Sequence, residues 1–366
     1  MRIGVNARFL IKDKMAGLGH YTFEVVKCWV KSHPDDQFVF FFDRPFDEQF
    51  VFASNIEAVV LPPPARTPVL FVIWYEMSLR AAIQRKKVDV LFSPDNFLSL
   101  RSRVPTLLVI HDLAYLYRPE SLSKMQLMYY RYFMPRFARK ASRIATVSQT
   151  TKRDIVKRFQ IDPVKIEVAG LGLNEGIVRG NYIQKEDYFV HVGTIQPRKN
   201  VVRLIEAYDR YRDTTGKSTK LIFIGGKGWK DSAFYRRRKQ SKYCQDIDLA
   251  GYKTNAEISS ILHKAMALLT ISTFEGFGMP IIEAQHCGCP VIASNVSSLP
   301  EASGGAALLV DPLNIDDIAD AMRKIVEEEK LRLGLMKRGF ENADRYSWSQ
   351  TARVLYQMLQ DIVQGN

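Results

Sequence analysis

Short apolar runs rich in β-branched and aromatic residues alternate along this chain with segments whose apolar positions recur every three or four residues. That alternation is the strongest constraint on the fold. It predicts parallel strands joined by helical crossovers, with helices covering both sheet faces. Strands are expected at 2–7, 38–42, 57–61, 88–92, 106–110, 143–147 and 165–169, and helices at 19–31, 69–86, 124–140 and 149–159. The pattern then loosens through "GLGLNEGIVRGNYIQKED" (170–187), a Gly- and Asn-rich stretch that reads as a linker. A second series follows: strands at 188–192, 220–224, 247–250, 267–271 and 290–294, with helices at 201–212, 230–242, 256–265 and 280–287. Helical patterns at 315–328, 330–345 and 347–363 close the chain. The fold class is therefore α/β, with two Rossmann-like domains facing across a cleft. The expected division is 1–172, 173–346, and a terminal helix at 347–366 that crosses back to the first domain. In open α/β sheets ligands bind beyond the carboxyl ends of the strands, so the loops there are the place to look for chemistry.

A length of 366 residues suits two domains, each able to bury a core. The formal net charge is +13. The first 175 residues carry 26 basic and 17 acidic side chains against 26 and 22 in the rest, so most of the excess lies in the first half. An anionic partner is indicated. Cys28, Cys244, Cys287 and Cys289 are too few and scattered for a disulfide framework. Cys287-Gly-Cys289 has no second pair, so buried thiols are expected rather than a zinc site. The first residues read as a strand rather than a signal peptide, and no apolar run approaches the roughly 18 residues of a membrane span. A reduced, cytoplasmic protein is expected.

Within "STFEGFGMPIIEAQHCGCPVIAS" (272–294) two glutamates bracket a turn and a helix start. Pro280 suits the first helical position, and Gly276 and Gly278 allow a tight turn. The run of N–H groups from Gly278 through Met279 to Ile282 at the helix tip would suit a phosphate. Glu275 lies just before the tip and Glu283 about one turn inside. Since a carboxylate accepts two hydroxyl protons, each glutamate suits a vicinal diol on one side of the phosphate. Sugar diol, diphosphate and ribose diol follow in that order in a nucleotide sugar. Arg198 and Lys199, expected at a helix start where they would oppose the dipole, would neutralise a diphosphate leaving group. Gly17 and Gly19, ahead of a helix beginning near His20, would admit the diphosphate from the opposite wall. His111 and Asp112 sit at the carboxyl end of a strand, where a histidine in a cleft is a candidate for function. Asp246-Ile-Asp248 reads as a strand entrance rather than a metal site, and "IGGKGW" (224–229) lacks the Gly-Lys-Ser/Thr close of a phosphate loop. "KMQLMYYRYFMPRFARKASR" (124–143) interleaves aromatic and basic residues, a candidate for peripheral contact with an anionic membrane at its inner face. Nucleic acid is disfavoured, because no binding motif accompanies the basic residues.

"FEGFGMPIIEAQHCGCPVIAS", "HVGTIQPRKNVVRLIEAY" (191–208), "GLGHYT" (17–22), "IHDLAYLYRPE" (110–120) and "SLPEASGGAALLVDP" (298–312) together resemble the retaining glycosyltransferases of family 4, which have the GT-B fold. The motifs lie in family order over nearly the whole chain. The resemblance implies that Glu275 contacts the transferred sugar, Glu283 the ribose, and that His111 lies beside the sugar at the catalytic centre. It implies that His111 positions and polarises the reacting group and that Asp112, His20 and Tyr21 face the acceptor. It implies a nucleotide diphosphate sugar as donor substrate, no cofactor and no required metal. The acceptor would be a glycan or a lipid-linked glycan, and the pattern resembles mannosyltransferases of polysaccharide assembly, which favours GDP-mannose. Thr194 stands where many members place a basic residue, which leaves that charge to Arg198. A nucleotide-sugar epimerase on the same fold, or a non-catalytic sugar-binding module at the membrane surface, are the alternatives.

Overall fold

The computed structural model describes residues 1–365 apart from Asp13, Lys14, Ala16, Ile183, Lys227, Trp229 and Lys230. The chain divides into two compact units, Met1–Gly172 with Ser347–Asn366, and Leu173–Tyr346. The first unit is built on β1 (Arg2–Asn6), β2 (Gln37–Phe42), β3 (Ile56–Val60), β4 (Val90–Ser93), β5 (Thr106–Ile110), β6 (Arg143–Thr146) and β7 (Ile166–Val168). All are parallel, in the order β3-β2-β1-β4-β5-β6-β7. The second unit holds β8 (Glu186–Val192), β9 (Lys220–Ile224), β10 (Ile247–Gly251), β11 (Ala265–Thr270), β12 (Val291–Ser294) and β13 (Leu308–Val310). These are also parallel, in the order β10-β9-β8-β11-β12-β13.

Both sheets are doubly wound. In each the strand order reverses once, between β1 and β4 in the first unit and between β8 and β11 in the second. In such sheets a ligand is ordinarily held beyond the carboxyl ends of the strands at that reversal. Strand composition follows from two-sided coverage: Phe38 to Phe42 on β2 are all buried, as a strand with helices on both faces requires. The first core packs Val39, Phe41, Leu91 and Leu108 against Trp74, Leu79, Phe137 and Ile155. The second packs Phe189, Phe223, Leu269 and Ile292 against Leu204, Tyr208, Ile318 and Met322. Each such side chain contributes about 1.5–3 kcal/mol by leaving water.

The helix expected at 69–86 is in fact three segments, Pro68–Ile73, a π-helical stretch Trp74–Leu79, and Arg80–Arg85. The wider turn lets Trp74 Nε1 donate to Leu61 O (2.9 Å) while Tyr75 Oη reaches Asp95 (2.7 Å). Hydrophobic period does not reveal a π segment, because one inserted residue barely disturbs the buried stripe. The first helix begins at Gly17, two residues earlier than expected. Strand β13 and the short helix Leu299–Ser303 have too few residues to show a period and were not foreseen. The last helix, Trp348–Gln364, packs into the first unit, where Trp29 Nε1 donates to Ala352 O (2.7 Å) and Tyr356 Oη donates to Asp36 (2.5 Å). Lys230, where a helix was expected to start, lies outside the described residues, as do Lys227 and Trp229 of "IGGKGW"; the described helix is Ser232–Gln240.

Candidate functional site

The second sheet's reversal point carries the densest charge. Beyond β8 the chain runs through Gly193 into a 3-10 turn, Pro197–Lys199, and Asn200 in the left-handed region precedes helix Val201–Thr215. Arg198 and Lys199 therefore lie in the turn just before that helix rather than in its first residues. Their partner comes from the neighbouring strand's loop. Arg198 Nη1 bonds Glu275 Oε2 at 2.5 Å and Lys199 Nζ bonds Oε1 at 2.7 Å. Backbone bonds lock the two loops together: Arg198 O accepts from Thr273 N (2.9 Å), and Arg198 Nη1 also donates to Phe274 O (2.7 Å). Burial pushes the Glu275 carboxyl up, but the Lys199 and Arg198 charges outweigh it and hold the group at about 2. Glu275 is ionised, buried and shared by two cations.

The turn after Glu275 is cradled by two serines. Ser298 Oγ lies 2.8 Å from Glu275 O and 2.7 Å from Phe277 O, its single hydrogen shared between the two carbonyls, while Glu275 N donates to Ser297 Oγ (3.0 Å). Gly278 has φ +120°, and a Cβ there would meet Leu299 Cδ2 at 2.8 Å, so only glycine fits. Helix Met279–His286 follows, with Pro280 second rather than first. Pro280 has no amide hydrogen and Ile281 N already donates to Gly278 O (2.9 Å), so the tip offers fewer amides than a run from Gly278 to Ile282 suggests. The Ile282 side chain is in the core, and only its backbone can reach a ligand. Glu283 lies one turn in, also buried, but its environment is the reverse of Glu275's. Burial pushes its carboxyl up to about 7, against the opposing effect of a 2.7 Å bond from Asn174 Nδ2. Asn174 Nδ2 also reaches Met279 Sδ (3.2 Å).

In the first unit, His111 directly follows β5. Its ring Nε2 lies 2.7 Å from Pro94 O; a carbonyl only accepts, so Nε2 carries the hydrogen and Nδ1 is an acceptor. Asn96 Oδ1 accepts from His111 N (2.9 Å). Burial lowers the imidazole's pKa, so it is neutral at physiological pH. The Tyr21 ring packs edge-on against it, centroids 4.8 Å apart. Tyr21 was expected to face the acceptor; it is buried instead, wedged between His111 and Trp348. Gly19 was expected to face a ligand, yet a Cβ there would lie 2.5 Å from Phe9 O, so its glycine is explained by packing. Gly17 faces open space and His20 is half-buried. Asp112 Oδ1 accepts from Ala114 N (2.8 Å), the first residue of the short helix Ala114–Tyr117.

Cys287 and Cys289 are buried, and burial raises their pKa to about 11 and 12. Asp246 pairs with Arg212 (2.7 Å) at the entrance to β10. Among the described residues, no three His, Cys, Asp or Glu side chains gather as a metal site. Four residues of the site escaped sequence reasoning: Asn174, which lay in the presumed linker; Ser297 and Ser298; and His191. His191 donates from Nδ1 to Leu269 O (2.9 Å), and burial lowers its pKa to about 4. A Cβ on Gly193 would lie 3.6 Å from His191 Nε2 and 3.5 Å from Lys199 Nζ, placing both beside the same glycine.

Two doubly wound parallel sheets, one with a buried carboxylate between two cations at its reversal point, are the architecture of GT-B glycosyltransferases. Comparison with known proteins agrees. Residues 15–175 match the model described as Glycosyltransferase Family 4, and residues 177–342 match Glycosyl transferases group 1. The chain belongs to the family 4 glycosyltransferases. It is 26% identical to O-antigen chain mannosyltransferase B of Escherichia coli over 92% of this chain and 94% of that one. Sucrose-phosphate synthase from Thermosynechococcus elongatus superposes with a TM-score of 0.79 at 16% identity, covering 100% of both chains. Anabaena HepE, solved with UDP and glucose, superposes at 0.76 with 14% identity, covering 99% of this chain and 100% of that one.

Proposed function

We propose that this glycosyltransferase moves mannose from GDP-mannose to a hydroxyl of a glycan or lipid-linked acceptor, with retention at the anomeric carbon. The observation that carries the donor reading is Glu275 held between Arg198 and Lys199 at the reversal point of the second sheet. The donor diphosphate takes over the two cations, and the released carboxylate accepts from hydroxyls of the transferred sugar. Negative charge grows on the leaving diphosphate as the bond breaks, so fixed cations there stabilise the transition state more than the ground state. They supply the charge that a metal would otherwise bring. Retention follows a front-face route: the acceptor O–H proton passes to the departing phosphate oxygen, the sugar–phosphate C–O bond breaks, and the new C–O bond forms on the same face. Neutral His111 positions and polarises the sugar, and Asp112 and His20 contribute to the acceptor side. The similarity to an E. coli enzyme named as an O-antigen chain mannosyltransferase supports mannose and polysaccharide assembly.

Helix Lys124–Lys140 supports a peripheral role at an anionic membrane. Met125, Met128 and Tyr132 are exposed, Arg131, Arg136, Arg139 and Lys140 share the exposed surface, and the helix contains no acidic residue. Among the described residues no helix is long and apolar enough to cross a membrane. The donor reading is tested with radiolabelled GDP-mannose, UDP-glucose and UDP-galactose on lipid-linked glycan extracts, with the product anomer read by NMR. Transfer from a uridine donor alone, or an inverted anomer, contradicts it. Sedimentation with phosphatidylglycerol vesicles tests the membrane role.

A further inference from the structure

Asn174 sits just inside the second unit, in a turn where Ile177 N donates to Asn174 O (3.2 Å). The next residue is tied down as well, since Asn255 Nδ2 donates to Glu175 O (2.9 Å). The side chain is thus fixed in place. Its amide hydrogens are committed to Glu283 Oε1 (2.7 Å) and Met279 Sδ (3.2 Å). Its carbonyl oxygen, Oδ1, is buried and has no partner among the described residues. A buried acceptor without a donor is unfavourable, and in a native protein it calls for an explanation. Here the explanation lies in what adjoins it. Asn174 occupies one oxygen of Glu283, which leaves Oε2 for a ligand, and presents its own unpaired acceptor beside the same carboxylate. Two acceptors, one on each of two bonded side chains, suit two adjacent hydroxyl donors.

We propose that Asn174 is a specificity-determining residue that forms, with Glu283, a two-acceptor clamp for the vicinal diol of the donor's ribose. Glu283 Oε2 takes one hydroxyl and Asn174 Oδ1 the other. This rests on the reading of Glu283 as the ribose contact given above. The clamp requires a ribonucleotide, and it divides recognition of the 2′- and 3′-hydroxyls between two residues 109 positions apart.

The test is calorimetric binding of GDP, 2′-deoxy-GDP and 3′-deoxy-GDP, with the uridine series in parallel, to the full chain. The wild type is expected to bind the ribonucleotide roughly tenfold or more tighter than either deoxy form, as a lost hydrogen bond with an unpaired buried partner implies. Asn174→Ala is expected to lose discrimination at one hydroxyl and keep it at the other. Glu283→Gln is expected to weaken recognition at the remaining hydroxyl. If Asn174→Ala is poorly folded, Asn174→Leu, which keeps the side-chain volume, carries the same test. A wild type that discriminates while both Asn174 variants keep its full pattern overturns the clamp and spares the Glu283 reading. A wild type that binds all three nucleotides equally overturns both.

Discussion

Each sheet buries a cation against a carboxylate at its reversal point, yet the two arrangements serve different ends. In the first unit Arg8 Nε bonds Asp95 Oδ2 at 2.8 Å, with side chains 3% and 1% exposed. Tyr75 Oη also donates to Asp95, Arg8 Nη1 donates to Ala65 O, and the guanidinium lies over the rings of Phe9, Phe71, Tyr75 and Phe97. In the second unit Arg198, Lys199 and Glu275 are 19%, 12% and 10% exposed, and two cations meet one carboxylate. That cluster keeps surplus positive charge within reach of solvent. A closed, neutral pair holds loops in place; an open pair with surplus charge can exchange its anion for a ligand.

Breaking the closed pair should have the largest effect on stability. Arg8→Leu strands the Asp95 charge in the core and is expected to lower the unfolding free energy by about 3–5 kcal/mol in urea titration. Lys199→Ala should do the opposite: Glu275 keeps Arg198, so stability changes by less than about 1 kcal/mol, while kcat falls roughly 10²-fold, near the effect of losing one transition-state donor. A Lys199→Ala protein that unfolds as readily as Arg8→Leu would abolish the distinction.

The next effect comes from Glu283. Its folded pKa of about 7 lies above the ordinary 4.5, so the folded state binds the proton more tightly than the unfolded state. Stability should therefore fall as pH rises from 4.5 to 7, by roughly 3 kcal/mol, and level off above that. Glu283→Gln should flatten this slope in thermal melts across pH, whereas Glu275, held at about 2, contributes none of it. The smallest expected effect is at Tyr21, whose buried hydroxyl has no partner among the described residues. Tyr21→Phe should leave stability unchanged or raise it by about 1 kcal/mol while preserving transfer activity. A loss of activity would show that the hydroxyl meets substrate.

Local chemistry explains why much of this could be read in one dimension. Strand and helix periods repeat within a few residues, and the Gly-Phe-Gly-Met-Pro turn announces a helix start by its own backbone preferences. The α/β class and the position of Glu275 and Glu283 around a helix tip follow from such local signals. Partners did not. Arg198 meets Glu275 across 77 positions and Arg8 meets Asp95 across 87, because the order of parallel strands decides which loops become neighbours. The charges followed the partners. Two glutamates eight positions apart, both buried, end with carboxyl groups at about 2 and about 7, since one met two cations and the other a single amide. Pattern specifies elements because the forces behind it act over one turn of chain; desolvation and Coulomb attraction act through space, and only the packed sheets bring those groups together.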